Sequence, residues 1–588
     1  LKQAIGYVPQ EDIVHRELTV YRTLYYVARL RLSRDVSDLE IDQIVNEVMD
    51  VTGLAERRDL PVGQLSGGQR KRVSIAVELV TKPSIIFLDE PTSGLDPATE
   101  GRIMKLFRQI ADNGRTVILT THAVYNVKLF DKIVIVLRGK MIFYGSPQEA
   151  LAHFKAESFD DLYEKWEAPS KEHAAKLTPL PANASEKQKQ EYKLQVERIN
   201  EEVAEEWKQR FIHTEQYQRN IVQPLSGLRR EVKQQTPAKQ RWTIKGAAQQ
   251  WGTLTRRYLE VLSRDRLNLL ILLGQAPVIG FVVFIMALAV ERRVQDFPYS
   301  MLGLVPMWFG TSIAAREIIR ERAIYNRERM VNLELLPYVA SKLFVLLLIV
   351  GLQCALMFGT LGAFKLAGML KLSGWGISQL LVMILTGAVG IALGLFISAL
   401  VKTSEMATSL VPLVLIPQIV FSGIVNMPTG PSKVISTVIP VAWSFDEMKR
   451  LSALDTFYEE GSNPNGPNQG LGLSKYVKRV NEQRREEARQ DYEKYRQDIE
   501  EDLKDYEQKM KTYLRNIRTK PALKPPPAPT VRSAPEAPKT EEIPEDLSDY
   551  VLFLHTWGGE VLDPLILLLM FLLLLSATVV ALRLQDIN

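Results

Sequence analysis

Apolar positions are distributed unevenly along the 588 residues: charge is concentrated in 1–265 and 429–550, whereas 266–426 and 561–582 are nearly charge-free over long runs. A membrane-crossing helix needs about 20 mostly apolar residues. Stretches of that kind are Leu269–Val290, Tyr299–Ala315, Val339–Phe364, Gly376–Val401, Ala407–Val425 and Leu562–Leu582. The loop Arg316–Pro337 carries Arg316, Arg320, Arg322, Arg327 and Arg329, and arginines beside a span mark the cytoplasmic side. Six crossings with that loop inside place both chain ends in the cytoplasm and residues 427–560 outside it.

The first 150 residues follow a different rhythm. Ile5–Val8, Ser84–Leu88, Thr116–Thr120 and Ile133–Leu137 read as strands of a mainly buried sheet. Between them, Ser37-Asp38-Leu39-Glu40 has the form of a capping box, followed at helical spacing by Ile41, Ile44, Val45, Val48 and Met49. The alternation predicts an α/β domain over 1–150. Residues 151–250 are polar and broken by helix-ending residues, a helical linker in which Tyr192, Val196, Ile199, Val203, Trp207 and Phe211 form one face. The basic stretch Trp251–Arg266 predicts a helix lying at the membrane interface, with Arg256, Arg257, Arg264 and Arg266 meeting lipid phosphates. It opens a segment, 251–426, that holds spans one to five; 561–588 holds the sixth.

Between the fifth and sixth spans lies a charged insert. Tyr492, Tyr495, Ile499, Leu503, Tyr506, Met510, Tyr513 and Ile517 alternate steps of three and four, a heptad-like seam. The Pro-rich tract Lys520–Pro544 follows it. The seam predicts a helix that folds on its own chain, on a symmetry mate, or on a partner.

Composition narrows the picture. A net charge of +5, from 73 basic and 68 acidic residues, is too small to argue for nucleic acid. Cys354 is the single cysteine, so a disulfide within the chain and Cys-rich metal sites are excluded. With no glycosylation sequon in the outer segment, this points to a bacterial plasma membrane.

Three motifs in the α/β part carry chemistry. Leu65-Ser66-Gly67-Gly68-Gln69-Arg70-Lys71-Arg72 sets two glycines and a serine before a helical pattern. Such a helix start offers free N–H groups to a phosphate, although alone it reads as a helix cap. Ile85-Ile86-Phe87-Leu88-Asp89-Glu90 is an apolar strand ending in two carboxylates. Asp89 is placed to hold Mg²⁺ through oxygen, and Glu90 to orient or deprotonate an attacking water. Pro91-Thr92-Ser93-Gly94-Leu95-Asp96 adds another carboxylate, and Thr120-Thr121-His122 brings an imidazole to a strand end, as Val8-Pro9-Gln10 brings an amide.

In that order, Gln10, Leu65–Gln69, Ile85–Glu90, Asp96 and His122 resemble the Q-loop, signature sequence, Walker B strand, D-loop and switch histidine of ATP-binding cassette (ABC) transporters. LSGGQRKRVSIAVEL at 65–79, TSGLDPATE at 92–100 and WFGTSIAAREIIRERAIYNRERMVNL at 308–333 are similar to the ABCG (White) subfamily. One element departs from the pattern: Gly-x-x-x-x-Gly-Lys-Ser/Thr, the phosphate loop, occurs nowhere. The family places it upstream of the Q-loop glutamine, so a cassette lacking its N-terminal part is expected.

The resemblance implies a partial α/β P-loop NTPase-type cassette followed by an all-α six-helix transmembrane domain of the ABCG or ABC-2 type. It implies ATP and Mg²⁺ as ligands, with Glu90 and His122 catalytic and Gln10 and Asp89 holding the metal. Gln10, Ser66, Gly67, Gly68, Gln69 and Asp96 would meet nucleotide. As a half-transporter the chain would pair with a second copy or a related partner, so that Ser66–Gln69 complete a site in trans. Glu317, Glu321 and Arg322 would couple the cassette to the spans. A small hydrophobic or amphipathic cargo would pass Phe309, Thr311, Pro417, Val420 and Phe421, between the second and fifth spans. An exporter of a polymer or lipid-linked glycan, and an ATP-sensing membrane scaffold, are the alternatives.

Overall fold

The computed structural model describes residues 5–33, 35–122, 125–162, 165–166, 168–169, 186–228, 243–289, 296–370, 372, 375–425, 428, 430–451, 473–517, 524–530, 533–539 and 559–586. They form two compact units. One comprises 1–265 and 323–338, the other 266–322 and 339–588, so the division falls between Arg322 and Ala323, at the start of helix Arg322–Val331.

The first unit contains a parallel sheet of β1 (Ile5–Val8), β2 (Ile85–Leu88) and β3 (Thr116–Leu119), in that order. The register aligns Val8 with Leu88 and Leu88 with Leu119. Parallel strands end at one edge, and the ladder continues past them: Asp89 donates its N–H to the Val8 carbonyl at 2.9 Å, and Thr120 to that of Leu88 at 3.0 Å. Helices Val20–Arg31, Asp38–Thr52, Gly67–Leu79 and Pro97–Asp112 bury Val8, Ile86 and Leu88 on one face. The expected capping box at Ser37 and Glu40 starts the second of these helices. The alternate residues Tyr7, Phe87 and Ile118 are exposed on the opposite face, so the sheet is covered on one side rather than mainly buried. Strands pleat with a period of two, and apolar residues at every position cannot report which face a helix covers.

β4 (Ile133–Leu137) and β5 (Lys140–Gly145) form an antiparallel hairpin. Phe143, Phe154 and Phe211 join it to the helices Pro147–Phe154 and Glu186–Ile212 in a second core. Of the expected linker face, Phe211 packs in this hairpin's cluster with Trp207 beside it, and Val203 is buried.

Helix Ile244–Arg264 also belongs to the first unit. Arg257, expected to meet lipid, is buried and bonded through both Nη atoms to Glu328, the longer contact being 2.9 Å. Arg264 turns back onto Glu260 at 2.8 Å, and Glu260 also accepts from Arg22 Nε and from Tyr26 Oη. A buried guanidinium needs a carboxylate to offset its desolvation, and the one supplied lies on helix Arg322–Val331.

In the second unit the apolar stretches form helices Arg266–Ala289, Asp296–Ala314, Leu335–Leu366, Ile377–Leu400, Ser404–Val420 and Gly559–Gln585. Leu335–Tyr338, the start of the third, fall in the first unit. By length and composition, four are able to cross a membrane: Arg266–Leu288, Leu335–Leu366, Ile377–Leu400 and Val561–Gln585; Ser404–Val420 is apolar but shorter. Asp296–Ala314 and Ile377–Leu400 meet backbone to backbone. A Cβ on Gly310 would overlap the Gly387 carbonyl, one on Gly390 would stand 2.5 Å from the Met307 oxygen, and one on Gly394 2.6 Å from that of Thr311.

Candidate nucleotide site

The carboxyl edge of the sheet gathers the chemistry. Two residues beyond β2, Glu90 has a left-handed backbone, φ 39°, which is uncommon outside glycine. Its N–H donates to Thr120 Oγ1 at 2.9 Å, and the same hydroxyl donates to Asp89 Oδ1 at 2.8 Å. One threonine thereby fixes both members of the acidic pair. Gln10 Nε2 donates to Glu90 Oε2 at 3.1 Å, and His122 Nδ1 lies 3.8 Å from Glu90 Oε1. Four residues singled out in the sequence (Gln10, Asp89, Glu90 and His122) therefore stand together. Because the Gln10 amide nitrogen is engaged, its oxygen is left for another ligand.

The signature residues form a second group. Ser66 caps helix Gly67–Leu79: its Oγ accepts the Gln69 N–H at 3.4 Å while Gln69 Oε1 accepts the Ser66 N–H at 3.1 Å. Gly68 has no room for a side chain, since a Cβ would overlap Thr99 Cγ2. Asp96 caps the helix that carries Thr99, accepting from Ala98 N–H at 3.1 Å and Thr99 N–H at 3.0 Å. Bonds from the Thr99 side chain and backbone hold the Asp96 carboxyl below its usual range. Asp96 thus uses one oxygen as a helix cap.

Lys71 links the two groups, and the sequence reading did not single it out. Its ammonium, 6% exposed, donates to the carbonyls of Pro9 at 3.1 Å and Gln10 at 2.8 Å. Burial pushes its pKa down, against the pull of Asp12 and Asp89. From the same helix, Ser74 Oγ donates to Asp12 at 2.9 Å, and Arg70 lies 3.5 Å from that carboxylate. Thr120 was likewise named only as part of a strand end.

The donors available to Mg²⁺ are oxygens, and among the described residues no group of three or more His, Cys, Asp or Glu is placed to enclose a metal ion. That set fits a hard cation that keeps waters and phosphate oxygens rather than a protein cage.

The coupling residues are tied down within the second unit. Lys342 Nζ lies 3.4 Å from Glu317 and 2.7 Å from Glu321. Arg322 donates to the Val401 carbonyl at 2.8 Å and to Gln585 Oε1 at 2.6 Å. In the first unit, Glu328 faces Arg257. Burial opposes its ionisation, but the Arg257 charge outweighs it and holds the pKa down. Beside it, burial and the Arg31 charge lower Arg327 to about 10. Neither role was anticipated. Of the cargo candidates, Phe309 (2% exposed) and Thr311 (0%) are enclosed within the chain; Thr311 lies in the close contact with Ile377–Leu400. Pro417 and Phe421 are half-buried and Val420 is exposed.

A parallel sheet with carboxylates, glutamine and histidine at its carboxyl edge, a glycine-started helix beside them, and a separate helical unit define an ATP-binding cassette joined to a membrane domain. Residues 1–93 match the family model described as ABC transporter, and 289–582 the one described as ABC-2 family transporter protein. The chain belongs to the ABC-2 transporter family, with ABCG-like sequence character, and is an integral membrane protein. The ABC transporter ATP-binding/permease protein Rv1747 of Mycobacterium tuberculosis is 29% identical over 471 residues, covering 76% of this chain and 48% of that protein. The broad substrate specificity transporter ABCG2 of Bos taurus is 42% identical over 161 residues, 26% of this chain and 25% of that protein. ABC transporter G family member 1 of Dictyostelium discoideum is 40% identical over 169 residues, 27% and 21%. The chain spans about half the length of Rv1747 and about a quarter of the ABCG proteins it matches.

Proposed function

We propose that this protein is an ATP-driven half-transporter that pairs with a second copy or a related chain and exports a hydrophobic or amphipathic molecule. The observation that carries the reading is the group Gln10, Asp89, Glu90, Thr120 and His122 at one sheet edge. Glu90 is placed to act as a base, held by Gln10 on one oxygen and faced by His122 on the other. In this reading it orients and deprotonates the attacking water, while His122 steadies charge opposite it. Asp89, oriented by Thr120, and the Gln10 oxygen would hold Mg²⁺, which supplies charge neutralisation at the phosphates. Ser66–Gln69, linked to Gln10 through Lys71, would close over nucleotide held by the other copy. The fold then stores differential affinity for nucleotide in its paired state, which drives the membrane unit.

The segment divided at Arg322 and Ala323, where helix Arg322–Val331 begins, supports the coupling role. Its first part is fastened by Lys342, Val401 and Gln585, and its second by Arg257. For cargo, the burial of Phe309 and Thr311 leaves Val420 and its neighbours Pro417 and Phe421 as the contact surface. The arginines at 316–329 favour both ends being cytoplasmic, and the single cysteine with no sequon in the outer segment favours a bacterial plasma membrane. The decisive experiment is steady-state ATP hydrolysis and nucleotide trapping on the full-length protein in lipid. Glu90→Gln should bind nucleotide yet lose turnover; normal turnover would falsify the assignment.

A further inference from the structure

The charged insert contains one relationship that nucleotide chemistry does not use. Helix Leu473–Asn516 is longer than the seam predicted, and the half-buried positions on it and just beyond include Ala488, Tyr495, Ile499, Asp502, Tyr506, Met510, Tyr513 and Ile517, with Asp498 half-buried next to Ile499. Those from 495 onward keep steps of three and four, the period of one helix face. Tyr492 and Leu503, placed in the seam by the sequence pattern, are 56% and 48% exposed instead. Something therefore covers a narrow stripe of this helix and leaves its flanks in solvent.

The Pro-rich tract has a matching periodicity. In 524–530 and 533–539 the half-buried residues are Pro526, Pro529 and Pro535, and the residues between them are exposed. Their spacing is a multiple of three, the repeat of a polyproline II helix, which presents one face every third residue. The two segments are joined at their far ends: Arg484 Nη1 donates to the Lys539 carbonyl at 3.0 Å. The lengths agree. From Arg484 to Asn516 an α-helix rises about 48 Å, and residues 524 to 539 in polyproline II extend about 46 Å.

We infer that the Tyr495–Ile517 stripe is a polyproline-binding face, and that its resident ligand is the chain's own 524–539 segment. Aromatic rings with exposed flanks are the surfaces on which proline rings dock, and a polyproline helix arrives already ordered, so little conformational freedom is lost. The insert is then a self-closed rod of one α-helix and one polyproline strap. Its apolar stripe is occupied in cis and is not a coiled-coil seam for a second copy.

The test uses the full chain in lipid nanodiscs and is independent of ATP turnover. A benzophenone amino acid at position 506 is photoactivated in a mixture of copies grown in light and heavy nitrogen, and adducts are mapped by mass spectrometry. The expected adducts fall on 524–535 and join segments of the same isotope. Pro526→Ser, Pro529→Ser and Pro535→Ser together should lower their yield at least tenfold, and a synthetic peptide of residues 521–541 should then label that variant but not the parent. Adducts on the Leu473–Asn516 helix of another copy, mixed-isotope adducts on the tract, or a yield unchanged by the proline substitutions would each overturn the inference.

Discussion

The Lys71 ammonium donates to the Gln10 carbonyl at 2.8 Å, so the helix that begins with the signature sequence grips the loop that presents Gln10 to Glu90. Lys71→Met keeps the volume and removes the donor, leaving the Pro9 and Gln10 carbonyls without it. A hydrogen bond from a charged donor contributes about 1.5–3 kcal/mol. The expected result is a fall of roughly tenfold in kcat/KM for ATP. Equal kinetics for Lys71→Met and the parent would remove the grip from the mechanism.

Thr120 serves Asp89 and Glu90 at once. Thr120→Val should slow hydrolysis by roughly ten- to a hundredfold, two hydrogen bonds at about 1 kcal/mol each, with nucleotide binding retained. Thr120→Ser preserves the hydroxyl and should restore most of the rate. If valine and serine behave alike, the hydroxyl is not what matters.

Gly68 is required by space. Gly68→Ala should lower the thermal midpoint, because its new methyl meets Thr99 Cγ2. Thr99→Ser deletes that carbon, and the double variant should recover the loss. A thermal scan that shows no recovery would place the strain elsewhere.

The Arg257–Glu328 pair should fail on the acid side. Removing one partner of a buried pair costs about 3–5 kcal/mol, so Arg257→Ala should destabilise the first unit strongly. The folded-state pKa of Glu328 is depressed, so its contribution is fully present above the ordinary value near 4.5 and is lost as pH falls through the folded value. Limited proteolysis between pH 7 and 3 should show this slope in the parent and a flatter one in Glu328→Gln. Identical acid profiles would rule the pair out as the cause.

Much of the cassette could be read in the sequence because its signals are local. Strand ends followed by polar residues placed Gln10, Asp89, Glu90 and His122 correctly, and Ser66–Gln69 declared their own cap. Lys71, Thr120, Arg257 and Glu328 were missed because their meaning lies in partners 30 to 71 residues away, which no periodicity reports. Trp251–Arg266 illustrates the same limit. A basic amphipathic face suits a lipid surface or a buried carboxylate equally well, and only the fold decides. The insert's seam predicted a helix, but a 3.5-residue period cannot distinguish a coiled-coil neighbour from a proline strap.

The glycines at 310, 390 and 394 make Asp296–Ala314 and Ile377–Leu400 share a seam of backbone against backbone, with nothing larger than a methyl group beside it. Ordinary helix pairs slide by exchanging rotamers at their contact, and this seam has none to exchange. The two helices must therefore travel as a single plank, so movement within the membrane unit has to hinge where other helices meet it. Evolution is confined in the same way: a methyl group added at Gly310, Gly390 or Gly394 lands on the backbone of the other helix, which cannot turn aside to make room.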